Sequence, residues 1–143
     1  MTEVVICSVS RTPVGKFRGS LAPFSAVELG VLSVKNLLSR MNIDPSSGII
    51  DEVIFGQVLQ AGAGQAPARQ VAIGAGLPVT TPALTINKVC GSSLKAVMLA
   101  ANAVRSGEYS CIIAGGMESM TNAPKLLIQG QEEAKSSMVH DGL

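Results

Sequence analysis

Residues 83–105 change period in mid-stretch, and that change constrains how the surrounding chain can be laid down. Through Ala83-Leu-Thr-Ile-Asn-Lys-Val89, Leu84 and Ile86 alternate around β-branched Thr85, with Val89 one step out of phase, as in a short strand. From Leu94 the apolar residues recur at Val97, Met98, Ala101 and Val104, the spacing of an amphipathic helix, and Gly107 stands just past its end. The spacing predicts a strand over 83–89 and a helix over 91–105.

Cys90 sits at the switch, and two readings compete for it. A cysteine is commonly a small buried hydrophobe. At the start of a helix, however, free backbone N–H groups carry partial positive charge, which favours thiolate over thiol and can hold a developing oxyanion. Gly91, Ser92 and Ser93 are small enough to leave room for an acyl group, and the two hydroxyls could cap the helix. Cys90 is therefore the candidate nucleophile.

The flanking chain alternates in the same way. Val4–Val9 is an almost continuous apolar run, expected as a strand buried on both faces of a parallel sheet, with Cys7 inside it. The loop Arg11–Gly19 follows, structured by Pro13, Gly15 and Gly19; its basic residues Arg11, Lys16 and Arg18 suit either an anionic ligand or plain solvation. Ser25-Ala-Val-Glu28 is a capping-box pattern, and Val27, Val31, Val34, Leu38 and Met41 extend a helix over 26–41, stopped before Asp44-Pro45. A strand over 51–59, a glycine loop, a short helix opening near Pro67 and a buried strand over 109–114 containing Cys111 complete the series. Gly115-Gly-Met-Glu-Ser-Met120 reads as a small-residue turn, and 129–137 as a polar surface excursion. The β-α-β-α-β-α-β order implies an α/β fold, a mostly parallel sheet with helices on both faces, with ligands at the strand C-terminal ends where Cys90 lies.

Several function classes are disfavoured. Gly62-Ala-Gly64 lacks the third glycine of a dinucleotide fingerprint and the acidic residue about 20 positions on. A net charge of +1, three Phe, one Tyr and no Trp give no basis for nucleic-acid binding. No run reaches about 18 apolar residues, so no membrane span is expected, and three cysteines partly in apolar runs suit a reducing, cytoplasmic setting. At 47% hydrophobic and 15% charged residues, part of the surface is expected to be covered by a partner. No cofactor-binding residue and no metal ligand set is identified.

Four segments together resemble a known family. Asn87-Lys-Val-Cys-Gly-Ser-Ser-Leu-Lys-Ala96, Arg11-Thr-Pro-Val-Gly-Lys-Phe-Arg-Gly19, Gly64-Gln-Ala-Pro-Ala-Arg-Gln70 and Gly115-Gly-Met-Glu-Ser-Met120 look like the N-terminal half of a thiolase, most similar to the acetoacetyl-CoA (acetyl-CoA C-acetyltransferase) type. Many members have glycine where this chain has Ser93, which bears on substrate preference more than on the nucleophile. The resemblance implies that Cys90 takes an acyl group from acyl-CoA, that its backbone N–H helps form an oxyanion site, and that acetyl-CoA and coenzyme A are substrates rather than cofactors. It places the strand before Cys90 at a dimer two-fold. It also implies a core over 1–120 and the start of an inserted loop region over 121–143. The histidine, second cysteine and further oxyanion donor that thiolases need are not matched here, since His140 fits no catalytic motif and Cys7 and Cys111 are expected inside strands. The chain is read as either a truncated fragment or one subunit of a split thiolase; the split enzyme is favoured, so activity is expected to need a second polypeptide carrying the C-terminal half, in a dimer or tetramer of such pairs. The alternatives are a ketoacyl synthase or hydroxymethylglutaryl-CoA synthase relative, or a scaffold subunit without catalysis.

Overall fold

A computed structural model describes residues 3–126 and 135–136 of the chain. The central element is β1 (Glu52–Gly56), a run of Val, Ile and Phe between Glu52 and Gly56 that is buried from Val53 onward. It is flanked on one side by β2 (Ala83–Ile86) and on the other by β3 (Ile112–Gly116), both parallel to it, in the order β2-β1-β3. Val53 pairs with Ala83 on one edge and Ile113 on the other.

Successive β1 side chains point to opposite faces, and each face has its own helical cover. Val53 and Phe55 join Val34 and Leu38 of α1 (Ala26–Arg40) and Val71 and Ala72 of α2 (Pro67–Gly74) in the larger core. Ile54 faces the other way and packs with Ala96 and Ala100 of α3 (Ser92–Ser106). The result is the expected α/β architecture, a parallel sheet with helices on both faces.

Local signals account for the helix positions. The capping box of α1 is formed in full: Glu28 N–H donates to Ser25 Oγ at 3.2 Å, and Ser25 N–H donates to Glu28 Oε2 at 2.8 Å. Pro67 opens α2, and Gly107 ends α3 with φ of 78°, a left-handed conformation that glycine adopts without strain. Two short strands, β4 (Lys125–Leu126) and β5 (Lys135–Ser136), pair antiparallel beyond β3. The expectation of a polar surface excursion over 129–137 falls largely outside the described residues, as does His140.

The expected first strand is not formed. Residues 4–9 carry no sheet assignment, and Val5, Ile6 and Val9 are 67%, 77% and 68% exposed. Cys7, expected in a buried strand, is likewise exposed. The sheet ends at β2 on one side and β3 on the other, and this apolar run pairs with neither edge among the described residues. It is tied to α1 instead: Arg40 Nη1 donates to Val9 O at 2.9 Å and Asn36 Nδ2 donates to Ser10 Oγ at 3.0 Å.

The other strands are displaced at their ends. β3 runs from Ile112 to Gly116 rather than over 109–114. Asp51 Oδ2 accepts from the N–H groups of Ser110 and Cys111, at 2.7 and 2.8 Å, which takes these groups out of any ladder. The glycine pair expected to end the strand forms its last two residues instead. β1 stops at Gly56, short of Leu59.

Two outcomes follow from this packing. Leu38→Ala removes a 2% exposed side chain at the α1 contact and is expected to destabilise the chain by about 2–5 kcal/mol, whereas Leu32→Ala at a half-exposed position costs roughly 1 kcal/mol or less; urea unfolding measures both. Acid unfolding is expected below about pH 4. Hydrogen bonds from the Ser25, Ser46 and Cys111 backbones hold the carboxyls of Glu28, Asp44 and Asp51, respectively, below their ordinary values. A carboxyl depressed in the folded state stabilises it above the unfolded value and loses that contribution as pH falls. Glu52 works in the opposite sense, raised by burial and by Glu108, so its protonation relieves the fold. Asp51→Asn is expected to flatten the acid limb of a midpoint-against-pH plot, and an unchanged slope would exclude Asp51 as a contributor.

Candidate active site at the strand ends

The C-terminal ends of β1, β2 and β3 meet at one end of the sheet, and the chain leaving β2 makes the sharpest turn there. It leaves Ile86, passes Asn87–Gly91 and enters α3 at Ser92. Val89 has φ of 49°. A β-branched residue in the left-handed region is strained by something on the order of 1–3 kcal/mol, and such a conformation persists only where its surroundings over-determine it.

Two side chains do so. Asn87 Oδ1 accepts from Val89 N–H at 2.9 Å while Asn87 Nδ2 donates to Val58 O at 3.2 Å, so the two bonds together fix which way the amide faces. Ser92, only 4% exposed, accepts from Lys88 N–H at 2.9 Å and donates to Val89 O at 2.6 Å through its Oγ. The expectation that Ser92 or Ser93 caps α3 is not met. The N-cap is Gly91, with no side-chain hydrogen bond, and Ser92 spends its hydroxyl on the turn. No side chain caps α3, and at its start the Gly91 and Ser92 N–H groups donate to the Lys88 and Val89 carbonyls, so its positive end is met there only by backbone.

The depth at which α3 sits is set by two glycines. A Cβ on Gly56 would lie 2.5 Å from Ser92 Cβ and 2.8 Å from Ser93 N, and one on Gly116 would collide with Ser93 Oγ. Bare backbone at the ends of β1 and β3 lets the helix start rest directly on the sheet.

Cys90 is exposed at this junction and lines an open cleft of about 680 Å³. Arg11 and Lys16 from the N-terminal loop line the same cleft, together with Gln57, Met117 and Glu118. The loop is fastened where Arg18 N–H donates to Thr121 Oγ1 at 2.9 Å, and the Arg18 guanidinium lies 5.2 Å from the Phe17 ring centre. Gln57, 2% exposed, donates through Nε2 to Leu59 O, and its Oε1 has no partner among the described residues. A helix start without a side-chain cap, an exposed thiol and two cations around a cleft are suited to nucleophilic attack on an electrophilic carbon of an anionic molecule.

The other cysteines do not share this end of the sheet. Cys111 precedes β3 whereas Cys90 follows β2, and in a parallel sheet these are opposite ends. Burial pushes the thiol of half-buried Cys111 up, with Cys7 and Asp51 adding to the effect, which disfavours its thiolate and places Cys7 nearby. Among the described residues no cluster of three His, Cys, Asp or Glu could hold a metal ion, and no helix is long and apolar enough to cross a membrane.

Sequence reasoning singled out Cys90 and offered Ser92 only as a small residue and helix cap, and it assigned no role to Asn87 or Glu118. The Asn87 bond to Val89, two residues on, is a local asparagine turn and had a legible signal. Glu118 bonds residues about 60 positions away, which no local pattern reveals.

Comparison with known proteins agrees with this geometry. The family model for the thiolase N-terminal domain matches residues 4–143. The acetyl-CoA acetyltransferase of Cupriavidus necator is 53% identical over 150 aligned residues, covering 100% of this chain and 38% of that protein. A probable acetyl-CoA acetyltransferase of Escherichia coli is 52% identical with the same coverage. Among solved structures, the Acat5 thiolase from Ascaris suum in complex with coenzyme A superposes with a TM-score of 0.86 at 37% identity, over 95% of this chain and 36% of that one. The chain thus spans 38% of the length of the first two relatives. With the family model covering nearly all of its length, the chain belongs to the thiolase family.

Proposed function

We propose that this chain is the nucleophile-bearing N-terminal part of an acetyl-CoA C-acetyltransferase and that Cys90 is its acyl acceptor. The observation that carries the reading is the exposure of Cys90 in the cleft, at the start of α3, which no side chain caps. The Cys90 sulfur attacks the thioester carbonyl of acetyl-CoA. Its bond to carbon forms, the carbon–sulfur bond to coenzyme A breaks, and coenzyme A leaves with the proton given up by Cys90. A second acetyl-CoA, deprotonated at its methyl carbon, then attacks the acetyl-cysteine. The new carbon–carbon bond gives acetoacetyl-CoA and frees the Cys90 sulfur, and the reverse sequence cleaves 3-ketoacyl-CoA. The positive end of α3 and the Cys90 backbone N–H stabilise the negative oxygen in the first step. The names of the relatives, and the coenzyme A bound to the Ascaris suum protein, support acyl-CoA as the substrate class.

The second step needs a proton acceptor at the acetyl methyl, and Glu118, the carboxylate that lines the cleft, is already engaged by the Val58 and Leu59 N–H groups. Cys111 lies at the far end of the sheet with Cys7 near it. We therefore take activity to require the rest of the thiolase site, carried by a second polypeptide or by the continuation of a longer chain, in a cytoplasmic dimer or tetramer. β2 is an edge strand with Leu84 exposed, and Leu94 and Met98 of α3 are exposed too, which supplies an apolar face for a second copy. Residues 121–143 are taken as the start of an inserted substrate-binding loop region following a 1–120 core.

Incubation with acetyl-CoA and peptide-level mass spectrometry is the direct test. An acetyl group on Cys90, absent in Cys90→Ala, is expected, and no acetylation even with the completing chain present would favour a scaffold role. Because Cys90 is exposed, Cys90→Ala should shift the unfolding free energy by no more than roughly 0.5 kcal/mol. Alone the chain should not cleave acetoacetyl-CoA, and robust turnover by it would overturn the need for the rest of the site.

A further inference from the structure

We infer that Glu118 is a positioning residue for Cys90, acting through a line of hydrogen bonds that joins the ends of all three parallel strands. Glu118 follows β3, and its Oε2 accepts from Val58 N–H at 2.8 Å and Leu59 N–H at 3.3 Å, in the segment leaving β1. The carbonyl of Val58 in turn accepts from Asn87 Nδ2, in the segment leaving β2. Asn87 Oδ1 then accepts from Val89 N–H, the strained residue directly before Cys90. Each group uses both of its polar ends. Val58 receives Glu118 on its N–H and gives Asn87 its carbonyl, and Asn87 receives Val89 and donates to Val58.

Glu118 is itself held on both sides. Met117 N–H donates to Gly56 O at 2.9 Å, while Ser119 Oγ donates to Phe24 O at 3.0 Å and Asn122 Nδ2 to the same oxygen at 2.8 Å. The carboxylate therefore starts from a fixed point and sets where Val58 faces. Val58 sets the amide of Asn87, and Asn87 holds Val89 in the left-handed region that delivers Cys90 to the start of α3. Without the line, Val89 can relax, and the sulfur loses its place beside the helix end that stabilises negative charge on it during attack.

The inference rests on Cys90 as the nucleophile, and its test needs no acyl-CoA. Iodoacetamide alkylation of the 143-residue chain is followed by mass spectrometry at each cysteine, with exposed Cys7 as internal reference and half-buried Cys111 as a monitor of loosening. Glu118→Ala is expected to lower the Cys90:Cys7 rate ratio roughly fivefold, inside the span of about two- to thirtyfold typical of such networks, with Cys111 still protected. Glu118→Gln keeps an acceptor oxygen and should restore most of the ratio; failure to do so would assign the carboxylate a charge effect instead. Asn87→Asp keeps the bond to Val89 N–H but loses the donor to Val58, at an exposed position that can be tested even if Glu118→Ala does not fold. It should reproduce the loss, and the double variant should be no worse than either single one, as for groups acting in series. An unchanged ratio in Asn87→Asp, additive losses in the double variant, or Cys111 alkylated in step with the loss would overturn the inference. A chain that alkylates as described but never acetylates with its completing partner would instead overturn the acyl-transfer reading and leave this one standing.

Discussion

The seating of α3 on bare backbone is the contact on which the rest of the site depends. Gly56 and Gly116 end adjacent strands, and the atoms nearest to where their Cβ groups would be belong to Ser92 and Ser93. Any side chain at either position would lift the first turn of α3 off the sheet. That turn carries Cys90 on its N-terminal side, so the depth of the helix fixes the height of the sulfur above the strand ends. Ile54, Ala96 and Ala100 reinforce the same contact further along: two alanines on the buried face of α3 let it lie close to the sheet. Small residues thus determine a distance, and the distance decides where the chemistry can occur.

Much of this was legible in the sequence because it is local. The capping box at Ser25 and Glu28, the proline at the start of α2, the glycine after α3 and the period switch at Cys90 each involve residues within a few positions of one another. Helices came out within a residue or two of their observed ends for that reason. Strand ends did not, because they are settled by distant groups: Asp51 draws off the N–H groups of Ser110 and Cys111, and Glu118 draws off those of Val58 and Leu59. The glycine pair at 115–116 was misread in the same way. Its composition suggests a turn, yet its role is to remain in the strand while a helix passes over it. The run Val4–Val9 shows the converse limit. An apolar run says that a segment is suited to being covered and is silent about what covers it.

Sheet polarity separates the three thiols more firmly than burial does. All strands of the main sheet point one way, so residues before a strand and residues after one belong to opposite ends. Asp51 and Cys111 mark the entry end, where carboxylate and backbone bonds hold the strands in register. Asn87, Cys90, Met117 and Glu118 mark the exit end, where the same kind of bonding holds a strained turn and lines a cleft. The two ends use one device, a carboxylate accepting two consecutive backbone N–H groups, for different purposes. At Asp51 it steadies the start of β3, and at Glu118 it joins the segment leaving β1, which Asn87 in turn links to the turn before Cys90.

A sparsely charged composition and the exposed apolar residues then find a common physical cause. With 15% charged residues the chain has little with which to clothe its surface, and many of the uncovered apolar positions are grouped. Beside single positions such as Ile49 and Val79, groups of them lie along residues 5–9, along β2 and α3, and at Val14 and Phe17 in the cleft. Two of these areas adjoin unpaired strand backbone or the cleft itself, where covering them would also exclude water from Cys90. Exclusion of water strengthens every electrostatic contact made by the helix end and protects an acyl-cysteine from hydrolysis. In the proposed assembly the surface that makes the isolated chain poorly covered is therefore the surface through which its nucleophile acquires a dry site, and stability and activity would be completed by the same contacts.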